Sequence, residues 1–152
     1  MLAGALGGRH TGTIMKQASD ILTFATAGCG LVEITREVAD WARGAQVEQG
    51  LLTLLCRHTS ASLLIQENAA PEVRPDIVDW LDRLAPEGPH YRHDDEGADD
   101  MPAHLRAILT GVNLQIPIIN GRLALGTWQG IYLAEHRRRP HHRQVAVHLI
   151  GA

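Results

Sequence analysis

The chain has 152 residues, 45% of them hydrophobic and 20% charged, with a formal charge of −3 when the histidines are neutral. That length fits one core of ordinary size and not two. The balance excludes the basic surface on which nucleic-acid affinity depends, and no apolar run approaches the ~20 residues of a membrane span.

Two cysteines, Cys29 and Cys56, are too few for a disulfide scaffold, so both are expected reduced, in a cytoplasmic protein. Residues 1–12 are Gly-rich, lack the apolar stretch of a secretory signal and read as a flexible end. Residues 13–152 form the single expected domain, with no nucleic-acid or membrane partner.

From Thr13 to Thr26, Ile14, Ile21, Leu22 and Phe24 alternate with polar residues, which suggests two short strands joined near Ala18-Ser19-Asp20. Thr35 reads as an N-cap. Behind it Val38, Trp41, Ala42 and Ala45 recur at helical spacing, predicting a helix to Gln46. The run Leu51 to Arg57 predicts a strand buried on both faces, and Leu63-Leu64-Ile65 a second strand. Pro71 opens a helix whose stripe is Val73, Ile77, Trp80, Leu81 and Leu84, with Trp80 in the core.

Residues 86–102 are polar and rich in Gly and Pro, a length typical of functional loops. A short helix is expected from Ala103 to Leu109. Strands Leu114–Ile119 and Leu123–Trp128 flank Asn120-Gly121, a tight hairpin signal. Ile131–Glu135 is a further strand. The basic segment Arg137–Arg143 reads as a loop, and the alternation of Val145, Val147 and Leu149 as the last strand. The order predicts an α+β fold with a mainly antiparallel sheet, two main helices and one short helix.

The densest chemistry lies between His93 and His104, where two imidazoles and five carboxylates share twelve residues. Imidazole and carboxylate suit zinc, manganese and related ions, and a cation would relieve repulsion among the acids. A solvated acidic loop is the competing reading. In His58-Thr59-Ser60-Ala61-Ser62, hydroxyls and backbone N–H groups can hold a phosphate, or merely satisfy a turn. Ser60 and His58 lack the nucleophile-elbow pattern. Arg137 to Arg143 is either a solvated tip or a phosphate grip.

Taken together, these segments resemble the YjbQ family, also called the secondary thiamine-phosphate synthase family. The resemblance runs from about Met15 to Gly151. It rests on His58-Thr59-Ser60-Ala61-Ser62, Glu67-Asn68, His93-Asp94, Asp99 to His104, Gly111, and Gly121-Arg122-Leu123. It continues through Leu125-Gly126-Thr127-Trp128-Gln129-Gly130-Ile131 and Glu135-His136-Arg137.

It implies a sandwich-like sheet, a homotrimer, and a divalent metal (zinc, magnesium or manganese) held by His58, His93 and His104. Glu67, Asp94, Asp100 and Gln129 would serve as acid–base or orienting groups. Thr59, Ser60, Ser62, Asn68, Thr127, Trp128, Arg137 and Arg143 would bind a small anionic or phosphorylated substrate. The family name implies a transferase joining a pyrimidine diphosphate to a thiazole phosphate with release of pyrophosphate. A metal-dependent hydrolase of a phosphorylated or carbonyl compound, or a non-enzymatic small-molecule binder, are the alternatives. Ala70 stands where many relatives are expected to carry an acid.

Overall fold

The computed structural model describes residues 14–152, so the expected flexible end at 1–12 lies outside the described residues. Eleven elements follow in order: β1 (Lys16–Thr26), β2 (Gly30–Glu33), α1 (Thr35–Gly44), β3 (Gln49–Cys56), β4 (Ala61–Glu67), α2 (Val73–Leu84), α3 (Asp100–Thr110), β5 (Asn113–Ile119), β6 (Arg122–Leu123), β7 (Gln129–Glu135) and β8 (His141–Gly151). They build a five-stranded sheet ordered β1-β8-β3-β5-β6 and a three-stranded sheet ordered β2-β7-β4. Every strand pairing is antiparallel. The α+β class is as the sequence predicts.

One core fills the space between the sheets. Leu52 and Leu54 of β3, Ile116 and Ile118 of β5, and Val145, Val147 and Leu149 of β8 meet Leu63 of β4 and Ile131 and Leu133 of β7. Each such side chain contributes about 1.5–3 kcal/mol through removal from water. α2 packs on β2 and α3 on β4, behind the smaller sheet. β7 is therefore covered on both faces: Ile131, Tyr132, Leu133, Ala134 and Glu135 are all buried.

Several elements differ from the sequence reading, each for a local reason. β1 is one unbroken strand, because every residue from Lys16 to Thr26 pairs with β8 and that ladder overrides the turn chemistry of Ala18-Ser19-Asp20. Thr35 does not cap α1; Ile34 holds that position. The Thr35 hydroxyl instead donates to Glu33 Oε1 at 3.0 Å and accepts from the Ile131 N–H at 2.9 Å, tying the helix to β7.

β3 is buried on one face only. Leu52, Leu54 and Cys56 point inward, while Leu55 is 45% exposed because no described element covers the outer side of the larger sheet. In α2 the buried stripe is rotated from the expected one. Leu81 is buried, but Trp80 and Leu84 are exposed, so Trp80 is not core. Pro71 precedes the helix, which begins at Val73.

The hairpin at Asn120-Gly121 forms with both residues at positive φ (52° and 70°), the backbone that this turn demands. Its return strand is short: β6 ends at Leu123, where the sequence predicted a strand to Trp128. Residues 126–129 close a turn instead, with Gly126 N–H donating to Gln129 Oε1 at 2.8 Å.

Candidate metal centre at the start of helix α3

α3 begins at Asp100, earlier than the sequence suggested, and this sets the site. Asp100 and His104 are four residues apart, hence on one face of the helix. His93 comes from the loop before it. One ligand atom from each of His93, Asp100 and His104 lies within 4.8 Å of the others, the one such trio among the described residues. The rings of His93 and His104 are 5.6 Å apart between centroids.

The carboxylate of Asp100 is almost wholly buried, at 2% side-chain exposure, and its two oxygens have different surroundings. Oδ1 accepts from Arg137 Nη1. Oδ2 faces His93 Nε2 at 2.8 Å and His104 Nε2 at 3.3 Å. Despite these approaches it has no aligned hydrogen-bond donor.

His104 shows why. Its Nδ1 lies 2.9 Å from the Thr59 carbonyl, which can only accept, so Nδ1 carries the proton. In the neutral ring, Nε2 then presents a lone pair toward a carboxylate oxygen. Two lone pairs facing one another repel unless a cation or proton lies between them. Two imidazole nitrogens and one carboxylate oxygen form a donor set that zinc and similar ions accept, with a position left for water.

Arg137 organises the surroundings. Besides Asp100 it donates from Nε to Asp99 Oδ2 at 3.1 Å and from Nη2 to the Glu96 carbonyl at 2.8 Å, so one guanidinium fixes the loop and the helix start. Burial alone would raise the Asp99 carboxyl, but hydrogen bonds from the Arg138 N–H and from Arg137 hold it below its ordinary value.

Arg143 is engaged as firmly. It is buried and grips buried Glu135 through Nε to Oε2 at 2.7 Å and Nη2 to Oε1 at 2.5 Å. Burial raises the Glu135 carboxyl, and hydrogen bonds from Arg143, the Arg137 N–H and Thr26 more than offset it, leaving it lowered. Arg143 Nη2 also donates to Ser60 Oγ at 3.1 Å. Neither arginine is free to grip an anionic substrate.

The other expected site residues divide into two groups. His58 is not part of the trio. Its Nε2 accepts the Gln144 N–H at 2.8 Å, so that lone pair is used, and burial followed by the charge of Arg143 pushes its pKa down. Asp100, expected as an orienting group, takes the ligand place instead. Ser62 is fully buried, 2.7 Å from His136 Nε2 and 2.5 Å from Thr110 Oγ1, and so cannot meet a substrate. Thr59 contributes its carbonyl to His104. Asp94 is exposed on the loop.

Glu67, Asn68, Thr127, Trp128 and Gln129 lie at the far end of the smaller sheet. β4 and β7 pair from Ala61↔Glu135 at one end to Glu67↔Gln129 at the other. That ladder is roughly 20 Å long at ~3.3 Å per residue. Within one chain, Glu67 and Gln129 are therefore not acid–base groups for the trio. Asn68 donates to Glu33 Oε1 at 3.3 Å, and Trp128 is 64% exposed.

Comparison with known proteins agrees with the fold. The family profile described as UPF0047 protein YjbQ-like matches residues 20–152. The UPF0047 protein sll1880 of Synechocystis is 50% identical over 137 residues, covering 90% of this chain and 93% of that one. The UPF0047 protein YjbQ of Salmonella typhimurium is 45% identical, covering 86% and 95%.

A crystal structure of an uncharacterized yjbq/upf0047 protein from Clostridium acetobutylicum superposes with a TM-score of 0.78 at 38% identity, covering 84% of this chain and 97% of that one. At 24% identity, a YbjQ-like protein of unknown function from Sulfolobus solfataricus shares the fold with a TM-score of 0.84, covering 91% and 100%.

These descriptions name no reaction, so the expectation of a thiamine-phosphate-synthase transferase is corrected: the family is one of unknown function, and nothing in it assigns that activity. The hydrolase and non-enzymatic alternatives have no more support from them. By sequence and by fold, the chain belongs to the UPF0047 family of YjbQ-like proteins.

Proposed function

We propose that this protein binds one divalent transition-metal ion through His93 Nε2, His104 Nε2 and Asp100 Oδ2. The observation that carries the reading is the buried Asp100 Oδ2, faced by two imidazole nitrogens and without a hydrogen-bond donor of its own. Arg137 on Oδ1 and the Thr59 carbonyl on His104 Nδ1 supply the outer contacts that orient metal ligands. Two nitrogens among three donors favour zinc over magnesium or manganese, which prefer oxygen. The bound ion would supply Lewis acidity at its open position, while Arg137 holds Asp100 in place.

Two coarser expectations accompany this reading. Among the described residues no helix is long and apolar enough to cross a membrane, and a cytoplasmic location is proposed on a separate ground, the two free cysteines Cys29 and Cys56. We propose a homotrimer as well, supported by apolar side chains on the outer face of the larger sheet, where Ile21, Leu55 and Ile150 are each more than 40% exposed.

Metal-stripped protein titrated with cobalt(II) or zinc(II) tests the site. One ion per chain is expected, and Asp100→Asn, which keeps the shape and removes the charge, should weaken uptake at least ~100-fold. Unchanged stoichiometry and affinity in that variant would remove the basis of the reading.

A further inference from the structure

A cavity of about 650 Å³ opens beside His104, between the end of β3 and the C-terminal half of α3. That volume lies in the ordinary range for small-molecule sites, roughly 300–1,000 Å³. Cys56, Ala107, Ile108 and Val112 give it apolar walls. None of its lining residues is Lys, Arg, Asp or Glu. Arg143 and Arg137, the nearby cations of the basic segment, are committed to Glu135 and to Asp99 and Asp100.

His58 adds one directed polar group. Because its Nε2 accepts the Gln144 N–H, the neutral ring carries its proton on Nδ1. The lowered pKa, caused first by burial, keeps that ring neutral. Among the described residues nothing accepts from Nδ1, so His58 lines the cavity with a donor to offer. His104 belongs to both the cavity wall and the trio, and joins the two spaces.

We propose that this cavity holds an uncharged small molecule with an apolar body and one metal-ligating oxygen, the body lying along Ile108 and Val112 and the oxygen reaching the ion. The head-group half of this proposal rests on the metal reading above. A doubly charged phosphate would place one oxygen on the ion and leave its remaining charge against walls that carry no cation, which is costly. An uncharged body with one acceptor matches the walls, the His58 donor and the ion together.

Cobalt(II)-loaded protein is titrated with acetamide, octanamide and octyl phosphate, following the cobalt absorption band. The longer amide is expected to bind at least about tenfold tighter than the short one, since each buried methylene is favourable. Octyl phosphate is expected to bind more weakly than octanamide. Ile108 is 77% exposed, so Ile108→Glu leaves the core intact. It should erase most of the chain-length advantage while one cobalt still binds.

Equal affinity for the two amides, with cobalt in place, overturns the cavity proposal and leaves the metal reading standing. Tighter binding of octyl phosphate overturns the uncharged assignment. If no cobalt binds, the metal reading and the head-group half fall together. Shifts of the Val112 and Asn113 amides with 2-octanone then decide the apolar half alone. A change of mass by light scattering in Ile108→Glu, with the chain-length advantage intact, would assign this face to a second copy and overturn the proposal.

Discussion

Asp100 faces an arginine on one oxygen and two imidazoles on the other, in a nearly water-free position. Arg137→Gln keeps a hydrogen-bond donor near Oδ1 but loses the charge and the fork that also reaches Asp99. Metal affinity should fall roughly 10–100-fold, as for other outer contacts of metal ligands, with the far-ultraviolet circular dichroism unchanged. An affinity equal to that of the parent protein would make Arg137 a loop fastener only.

His136 makes a separate prediction. Burial, and secondarily the charge of Arg106, pushes its pKa down to about 4 from 6.5. Below 6.5 the unfolded chain takes up a proton that the folded chain refuses, so stability is full above that pH and is lost progressively down to about 4. The whole effect is on the order of 3 kcal/mol. Urea midpoints at pH 7.5 and pH 5 should differ in this direction, and His136→Gln should flatten the difference. The lowered carboxyls of Glu135 and Asp99 add their losses only at more acid pH.

At the scale of elements, α2 offers a direct contrast. Leu81 is buried and Trp80 is half exposed, so Leu81→Ala should cost about 2–5 kcal/mol and Trp80→Ala nearer 1 kcal/mol. Equal losses in thermal unfolding would mean that Trp80 is covered in solution.

The same helix shows how far sequence carries. Hydrophobic spacing announced α2, but Val73, Trp80 and Leu84 are as apolar as the residues that face inward. Which flank of a stripe is buried depends on β2 beneath it, a partner distant in sequence. The strands at Leu51, Leu63, Leu114 and Gln144 and the Asn120-Gly121 turn are legible because their signals are local. β1 was misread because its continuity comes from β8.

The site was half legible. His93 and His104 stand out by residue type, whereas Asp100 is expected only as an orienting group, because a helix starting at Ala103 leaves it off the face of His104. The four-residue step from Asp100 to His104, together with the first-turn preference for an acid, was the signal that could have found it. The partners of Arg137, Arg143 and Glu135 could not be read, since those pairs join segments that only the fold brings together.

For the molecule as a whole, assembly and charge are the open measurements. Light scattering at micromolar protein should give three times the 16.6 kDa chain mass, and a monomer mass would end the trimer proposal. Because Arg137 and Arg143 are engaged in ion pairs shielded from solvent, ligand affinity should change little between low and high salt, where an exposed basic grip would weaken steeply. A steep salt dependence would show that an exposed part of the basic segment, such as Arg139, takes part in binding.

The topology of the larger sheet also governs how the chain is made. β8 follows all the other described strands in sequence, yet it lies between β1 and β3, pairing along its whole length with β1 and over residues 145–151 with β3. As a ribosome delivers the chain, β1 and β3 must wait on either side of a gap until residues 141–151 arrive. Contacts of such long sequence separation favour slow folding, in milliseconds to seconds for β-rich domains. Nascent chains halted before His141 should expose β1 and β3 edges to chaperones and to one another, and should mature only when the final strand is released.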